Sequence, residues 1–304
     1  HVVTVMTDWL GQCGVKIIKD AAVDRLIVEE GRIQGIGYGQ RELRGDAVIL
    51  ATGGASYPAT GSTGDGYPLV EALGHTIEEV RPALVPLVAE PEICTRMDTL
   101  NLRNIAVSLY IAGKKADQAF GELVFHKQGV TGPVILTLSL QAVDALRAKQ
   151  SVALVLDLKP ALDDKKLDAR LLRDFAKRNK EELSSILRGL LPREMVDVCL
   201  DLTGISPKRL GQDVTAEERK RLRVWLKNFR LEVSGHRPFK EAIVTAGGVS
   251  LKEVDPRTME SRKVKGLYLI GELLDLQAET GGYNLQAAFS TGFVAGKSAA
   301  GADQ

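Results

Sequence analysis

Cysteine is scarce in this chain. Cys13, Cys94 and Cys199 are the only three in 304 residues, an odd number with no C-x-x-C pair. That spacing excludes a disulfide framework and offers no zinc-ligand pattern, so all three read as buried free thiols and no metal site is expected. No apolar run reaches the length of a membrane-spanning helix, and no basic-then-apolar leader opens the chain. The cytoplasm is therefore the default compartment. Charge of neither sign is in excess: 40 Lys and Arg against 39 Asp and Glu leave a net +1. Such a balance gives no global attraction for nucleic acid or for an anionic membrane. Against these absences stand ordinary globular values, 44% apolar and 26% charged residues, in a chain long enough for two domains with sizeable cores.

The most informative stretch is 266–290, GLYLIGELLDLQAETGGYNLQAAFS. An apolar strand is predicted over 267–270, stopping at Gly271-Glu272, and a polar loop then leads to Gly281-Gly282. A helix follows, with Leu285, Ala288, Phe289 and Gly292 on one face at helical spacing. Glycines just ahead of a helix let a polarised or anionic ligand reach the free N–H groups of its first turn. Glu272 lies at the strand's carboxyl end, where open α/β sheets bind ligands, and can bond sugar-like hydroxyls. A second glycine-rich stretch runs from an apolar strand at 47–51, predicted to be buried on both faces, through Thr52-Gly53-Gly54 to GSTGDG at 61–66. It precedes a predicted helix over 67–73, which Asp65 should cap. The GSTGDG segment looks like a phosphate cradle but lacks the Lys of a P-loop, so nucleoside triphosphate hydrolysis is a poor reading. His75, just past the helix's terminal Gly74, reads as a packed residue.

Elsewhere the pattern predicts a helix over 2–10, a short strand over 15–18 and a hairpin of 22–29 with 32–38. The triplet GIGYG (Gly35, Gly37, Gly39) falls in that hairpin region, with RELRGD rather than a helix after it. Three prolines in 81–91 mark a crossover. Strand-like runs follow within 100–114 (two of them), 122–125, 134–140 and 152–158, short and turn-separated as in a small barrel or sandwich. Residues 165–229 read as helical and charged, with Leu167, Leu171, Leu172 and Phe175 as an apolar stripe and breaks at 189–192, 204–207 and 211–215. This region has more Lys and Arg than Asp and Glu but no aromatic interleaving, and reads as a solvated face rather than a nucleic-acid surface. An apolar strand with a second glycine turn, Gly247-Gly248, returns at 241–248.

Three segments together carry a resemblance: LYLIGE at 267–272 with its Gly-Gly helix start, ATGGASYPATGSTGDG at 51–66, and GGVSLKEVDPRTMES at 247–261. The chain resembles the HI0933-like family of FAD-dependent oxidoreductases, which includes BaiN-like bile-acid reductases and an aminoacetone oxidase. The likeness implies an α/β fold with a Rossmann-like FAD domain, discontinuous over 1–83 and 241–304. It implies an insertion over 84–240, a β-barrel at 84–160 and a helical lobe at 161–240. It also implies FAD as cofactor, NAD(P)H as a possible reductant and a small-molecule substrate. Thr52, Gly53, Gly54, Gly61, Thr63, Asp65, Gly248 and Gly271 would line the cofactor cleft, and Glu272 would hold the ribityl hydroxyls. Gly281, Gly282, Tyr283, Asn284 and Leu285 would lie against the isoalloxazine, where the helix dipole favours reduced flavin. Tyr57 and Tyr283 are candidates for the substrate side, and each reads equally well as packing.

The sequence departs from the family at VFHKQGVTGP, where His126 and Lys127 stand in place of a Thr-His pair. It also has no G-x-G-x-x-G turn for the ADP pyrophosphate. The resemblance therefore implies a strand–turn–helix segment ahead of His1, weak FAD binding by these residues alone, and apolar strand faces at 47–51 and 267–270 left open to self-association. Reduction of an activated C=C, amine oxidation by O2 and an RNA-linked role all remain open at this point.

Overall fold

Residues 1–301 are described in a computed structural model of the chain. Helix α1 (Val2–Gln12) opens it with no buried residue. The predicted strand at 15–18 does not form: that segment is exposed and has no ladder partner, so its apolar residues meet no sheet. A three-stranded antiparallel sheet follows, β1 (Arg25–Glu29), β2 (Arg32–Tyr38) and β3 (Arg41–Arg44), with Gly35 and Gly37 inside β2. Next come β4 (Val48–Leu50), α2 (Gly66–Glu71) and β5 (Ile77–Ala83).

The chain then builds β6 (Leu87–Ala89), α3 (Pro91–Thr95), β7 (Asn101–Ile111), β8 (Lys114–His126), β9 (Gly129–Thr131), α4 (Pro133–Arg147) and β10 (Val152–Asp157). Residues 100–114 thus hold one long bulged strand rather than two runs. Residues 134–140 are helix, not strand. Pro133 at the first helical position pre-sets the backbone, and Val134, Ile135, Leu138 and Ala142 then fall on one buried face at helical spacing.

Helices α5 (Asp164–Lys177), α6 (Leu183–Leu187), α7 (Arg193–Thr203) and α8 (Ala216–Lys227) form the lobe, with breaks after α6 and α7 where Gly and Pro predict them and a further break at 178–182 that no Gly or Pro announces. The Asp163 side chain accepts from Lys166 N at 2.8 Å and starts α5, and a Thr215–Glu218 capping box starts α8. Leu167, Leu171 and Phe175 are buried as expected, whereas Leu172 is exposed, one position off the stripe.

Strand β11 (Phe229–His236) lies where the sequence reading continued the helical lobe. Phe229, Leu231 and Val233 turn inward and Arg230, Glu232 and Ser234 outward, the period of a strand. Its pairings complete a closed ring of six strands in the order β10-β11-β6-β9-β8-β7, antiparallel throughout. Ring, lobe and the apolar face of α4 share one core.

The chain ends with β12 (Val244–Val249), β13 (Leu267–Leu269) and α9 (Tyr283–Ala299). Here β13 pairs in parallel with β4, Leu267 on Val48 and Leu269 on Leu50, and β12 pairs antiparallel with β5. Residues from both ends of the sequence, Ile33, Leu50, Tyr67 and Val70 with Val249, Leu267, Leu269 and Ala295, form a second core. The two strands differ from the expectation in opposite ways. All of β13 is buried, so it is not partly uncovered, while β4 is not buried on both faces, since Ile49 stays 38% exposed.

Candidate active site

The site starts from three close approaches that glycine permits. The N–H of Gly64 donates to Gly54 O at 3.0 Å, so the two glycine-rich loops after β4 fold on each other. Gly54 is packed against β12 and the loop after β13: a Cβ there would lie 2.7 Å from Thr245 Cβ and 3.2 Å from Glu272 Cδ. Gly248, with φ +125°, is equally constrained, because a Cβ would sit 2.6 Å from Leu273 O. Gly54, Gly248 and the Glu272 loop are thereby drawn together from segments nearly 200 residues apart, with Thr52 and Gly53 just before Gly54 in the chain and Gly271 just before Glu272.

Thr245, which the sequence reading overlooked, ties this cluster. Its Oγ1 accepts from Ala55 N at 2.9 Å and Ser56 N at 3.1 Å, and lies 3.0 Å from Ser56 Oγ. Its own N–H donates to Glu272 Oε1. Burial pushes the Glu272 carboxyl above its usual range, against the lowering effect of the Thr245 and Gly54 N–H groups. Tyr67 OH donates to Glu272 O at 3.4 Å, and burial beside Glu272 raises the phenol.

On the far side of Glu272 a cavity of about 440 Å³ opens toward the first turn of α9. Gly281, Gly282, Asn284 and Leu285 line it, as do Leu84, Ile243 and Val244 from where the chain enters and leaves the six-strand ring. No side chain caps α9, whose N-cap Gly282 is left-handed at φ 89°. Its first-turn N–H groups therefore carry the partial positive charge of a 17-residue helix to this end. Asn284 is committed to the loop: Oδ1 accepts from Ala278 N and Nδ2 donates to Ala278 O, both at 2.8 Å.

Other expected residues stand apart from the cavity lining. Gly61, Thr63 and Asp65 are exposed on the neighbouring loop. Asp65 occupies the N-cap of α2, but its side chain makes no capping bond. Tyr57 is exposed and left-handed at φ 51°, a costly state for a residue with a Cβ, with its N–H on Phe239 O. Tyr283 is 62% exposed, its ring against Gly281. His126 is half-buried, and burial lowers its imidazole. His75 is packed, as the sequence implied, with Nδ1 3.1 Å from Glu253 Oε2 and Nε2 2.8 Å from Ser261 Oγ. Sequence reasoning missed Leu84, Ile243 and Val244, whose only signal is a position flanking the ring.

A flat, largely apolar ring system with hydrogen-bonding edges suits this cavity. It offers aliphatic walls, a carboxylate at one side and an uncapped helix start at another. Parallel β4 and β13, each ending in a glycine-rich turn beside that cavity, define a Rossmann-type nucleotide-binding protein. More particularly, the chain belongs to the HI0933-like family of FAD-dependent oxidoreductases: the family described as HI0933-like protein Rossmann domain matches residues 1–298. It is 31% identical over 256 residues to a 3-dehydro-bile acid delta(4,6)-reductase of Clostridium scindens, covering 84% of this chain and 62% of that protein. It is 30% identical over 247 residues to a ribosomal RNA dihydrouridine synthase of Haemophilus influenzae, covering 81% of this chain and 58% of that protein. The Escherichia coli protein of the same name is 29% identical, with 82% of this chain and 59% of that protein covered. The chain thus spans about three-fifths of the length of these curated relatives. No helix among the described residues is long and apolar enough to cross a membrane.

Proposed function

We propose that the chain forms the flavin-ring side of an FAD-dependent reductase that saturates a C=C bond conjugated to a carbonyl. The observation that carries this reading is the cavity between Glu272 and the uncapped start of α9. In this reading residues 1–83 and 241–304 make the FAD-binding unit, and 84–240 are an inserted barrel and helical lobe that supply the substrate wall. The names of the relatives point the same way: a steroid reductase and dihydrouridine synthases both describe saturation of a double bond.

A bound flavin supplies the hydride chemistry, and the protein supplies position and electrostatics. Glu272 accepts hydrogen bonds from the ribityl chain with the carboxylate oxygen that Thr245 leaves free. The N–H groups at the start of α9 stabilise negative charge at the ring edge they face. Leu84, Ile243, Val244 and Leu285 would exclude water from the ring face, and the exposed Tyr57 and Tyr283 are the candidate substrate contacts. NAD(P)H is the proposed reductant.

The test is anaerobic mixing of the flavin-loaded protein with NADH or NADPH, followed by a conjugated steroid ketone or a uridine-containing RNA. Bleaching of the flavin by the nicotinamide and its return on adding either acceptor supports a reductase, and the acceptor that works names the substrate class. Flavin that bleaches only with an amine and is reoxidised only by O2 makes the protein an amine oxidase instead.

A further inference from the structure

Away from that cavity, two hollows adjoin beside β7, β8 and the turn after β10. The larger, about 600 Å³, is lined by Arg103, Asn104, Phe120 and residues 158–162. The smaller, about 270 Å³, reaches Leu191, Pro192 and Met195 at the start of α7. Both share Arg103, Leu158 and Lys159, and neither shares a residue with the flavin cavity.

Three features of this place are unexplained by folding. Lys159 is half-buried, yet among the described residues its ammonium has no hydrogen-bond or ion-pair partner. Burial lowers its pKa, the Arg170 charge lowers it further, and no carboxylate opposes them. Phe120 is 64% exposed in the middle of β8. Asn104 is held left-handed at φ 55° in a bulge of β7, turning that strand at the mouth of the hollow.

A half-buried ammonium without a counter-charge is favoured by an incoming anion. Arg103 already shares its charge with Glu122, Nε to Oε1 at 3.6 Å. One positive charge is therefore left over, which suits a monoanion. The walls that remain, Phe120, Leu158, Leu162, Leu191 and Met195, are apolar and suit hydrocarbon. The size matches pockets for small organic ligands, about 300–1,000 Å³.

We propose that these hollows bind a carboxylate carried on a hydrocarbon body, its head at Lys159 and Arg103 and its body along Phe120, Leu158 and Leu162. The site is separate from the redox centre, so it serves as an auxiliary subsite for an amphiphilic acid. Sodium decanoate is the probe. Calorimetry should show one saturable site with a Kd of about 0.1 mM or tighter. Lys159→Met should weaken it at least about tenfold at a melting temperature no lower than that of the wild type, and 1-decanol should bind at least about tenfold more weakly than decanoate. In the wild-type protein, decanoate should protect Lys159 from trinitrobenzenesulfonate, read by peptide mass spectrometry, which keeps the proposal testable if the variant misfolds. Any of three results overturns it: no saturable binding below about 1 mM, equal affinity for decanoate and 1-decanol, or undiminished Lys159 labelling in saturating decanoate.

Discussion

At Glu272 the carboxylate already accepts the Thr245 amide and the Gly54 N–H also acts to lower its pKa, so only its remaining acceptor capacity is free for a ligand. Glu272→Ala should weaken flavin binding by about 1–3 kcal/mol, the cost of a lost charge-assisted hydrogen bond. Fluorescence titration of FAD reads this directly, and an unchanged Kd would leave Glu272 a structural carboxylate. His75 makes a separate prediction. Ser261 Oγ accepts from Lys263 N at 3.1 Å and Val264 N at 3.0 Å, so its proton goes to His75 Nε2 and His75 Nδ1–H donates to Glu253. Glu253 also accepts from Thr76 N and pairs with Lys263, both at 2.8 Å, and is held down at about 2. Burial holds His75 below its usual range. The unfolded chain therefore binds a proton to this histidine at a pH where the folded chain does not. Its contribution is fully present above about pH 6.5 and falls as pH drops below that value, and the Glu253 contribution falls from about pH 4.5 toward 2. Urea unfolding of wild type and His75→Gln between pH 7.5 and 5 should show a shallower slope just below 6.5 in the variant, with the part due to the likewise lowered His126 remaining. Parallel slopes would mean that His75 does not titrate between the two states.

At the scale of elements, the sequence shows its strands and helices where local chemistry agrees with the final environment. The lobe is legible because Gly and Pro punctuate it and Asp163 and Thr215 cap it. Strand β13 is legible because a short apolar run ends at a glycine. Reading fails where a side chain's role is set by distant partners. The run 134–140 mixes Thr and Ser with aliphatics and mimics a strand until Gly132-Pro133 is weighed as a helix start. The alternation of 229–234 was hidden by the charged helix before it. Of the site, the cavity-lining Glu272 and Gly281-Gly282 stand in the stretch the sequence singles out, but Thr245 was not legible, because nothing local announces that its hydroxyl will accept Ala55 and Ser56 from 190 and 189 positions away. Gly248 tests the join between elements. Gly248→Ala combines an unfavourable φ with a Cβ against Leu273 O, and should destabilise by more than about 1 kcal/mol. The shift should fall on β12 and the Glu272 loop, so flavin affinity should drop more than the far-ultraviolet dichroism changes. Wild-type FAD affinity in this variant would show that the contact relaxes without moving Glu272.

For the whole molecule, the question is what its open surface does. Leu285, Phe289 and Phe293 are 61–74% exposed and recur every four residues along α9, so they form one stripe rather than scattered contacts. No charged residue interrupts 280–296. Trp9 and Met6 of α1 and Ile49 of β4 are exposed as well. Patches beyond a few hundred Å² rarely stay in water on a monomer. The sequence reading expected self-association through strand faces at 47–51 and 267–270; β13 is covered while Ile49 of β4 is exposed, and the α9 stripe is the larger apolar surface on which we expect it. Sedimentation velocity should find these 304 residues reversibly associating at micromolar concentration, and Phe289→Ser with Phe293→Ser should move them toward monomer. A wild-type chain that stays monomeric would show the stripe is tolerated. On the proposed function the chain supplies contacts for the ring and ribityl end, but its sequence has no G-x-G-x-x-G turn for the pyrophosphate, and a partial site meets most of the ordering cost with fewer contacts. FAD should therefore bind these residues more weakly than about 1 µM. Tighter, stoichiometric quenching of flavin fluorescence would place the pyrophosphate on the exposed Gly61–Asp65 loop, and Gly64→Val would then abolish it.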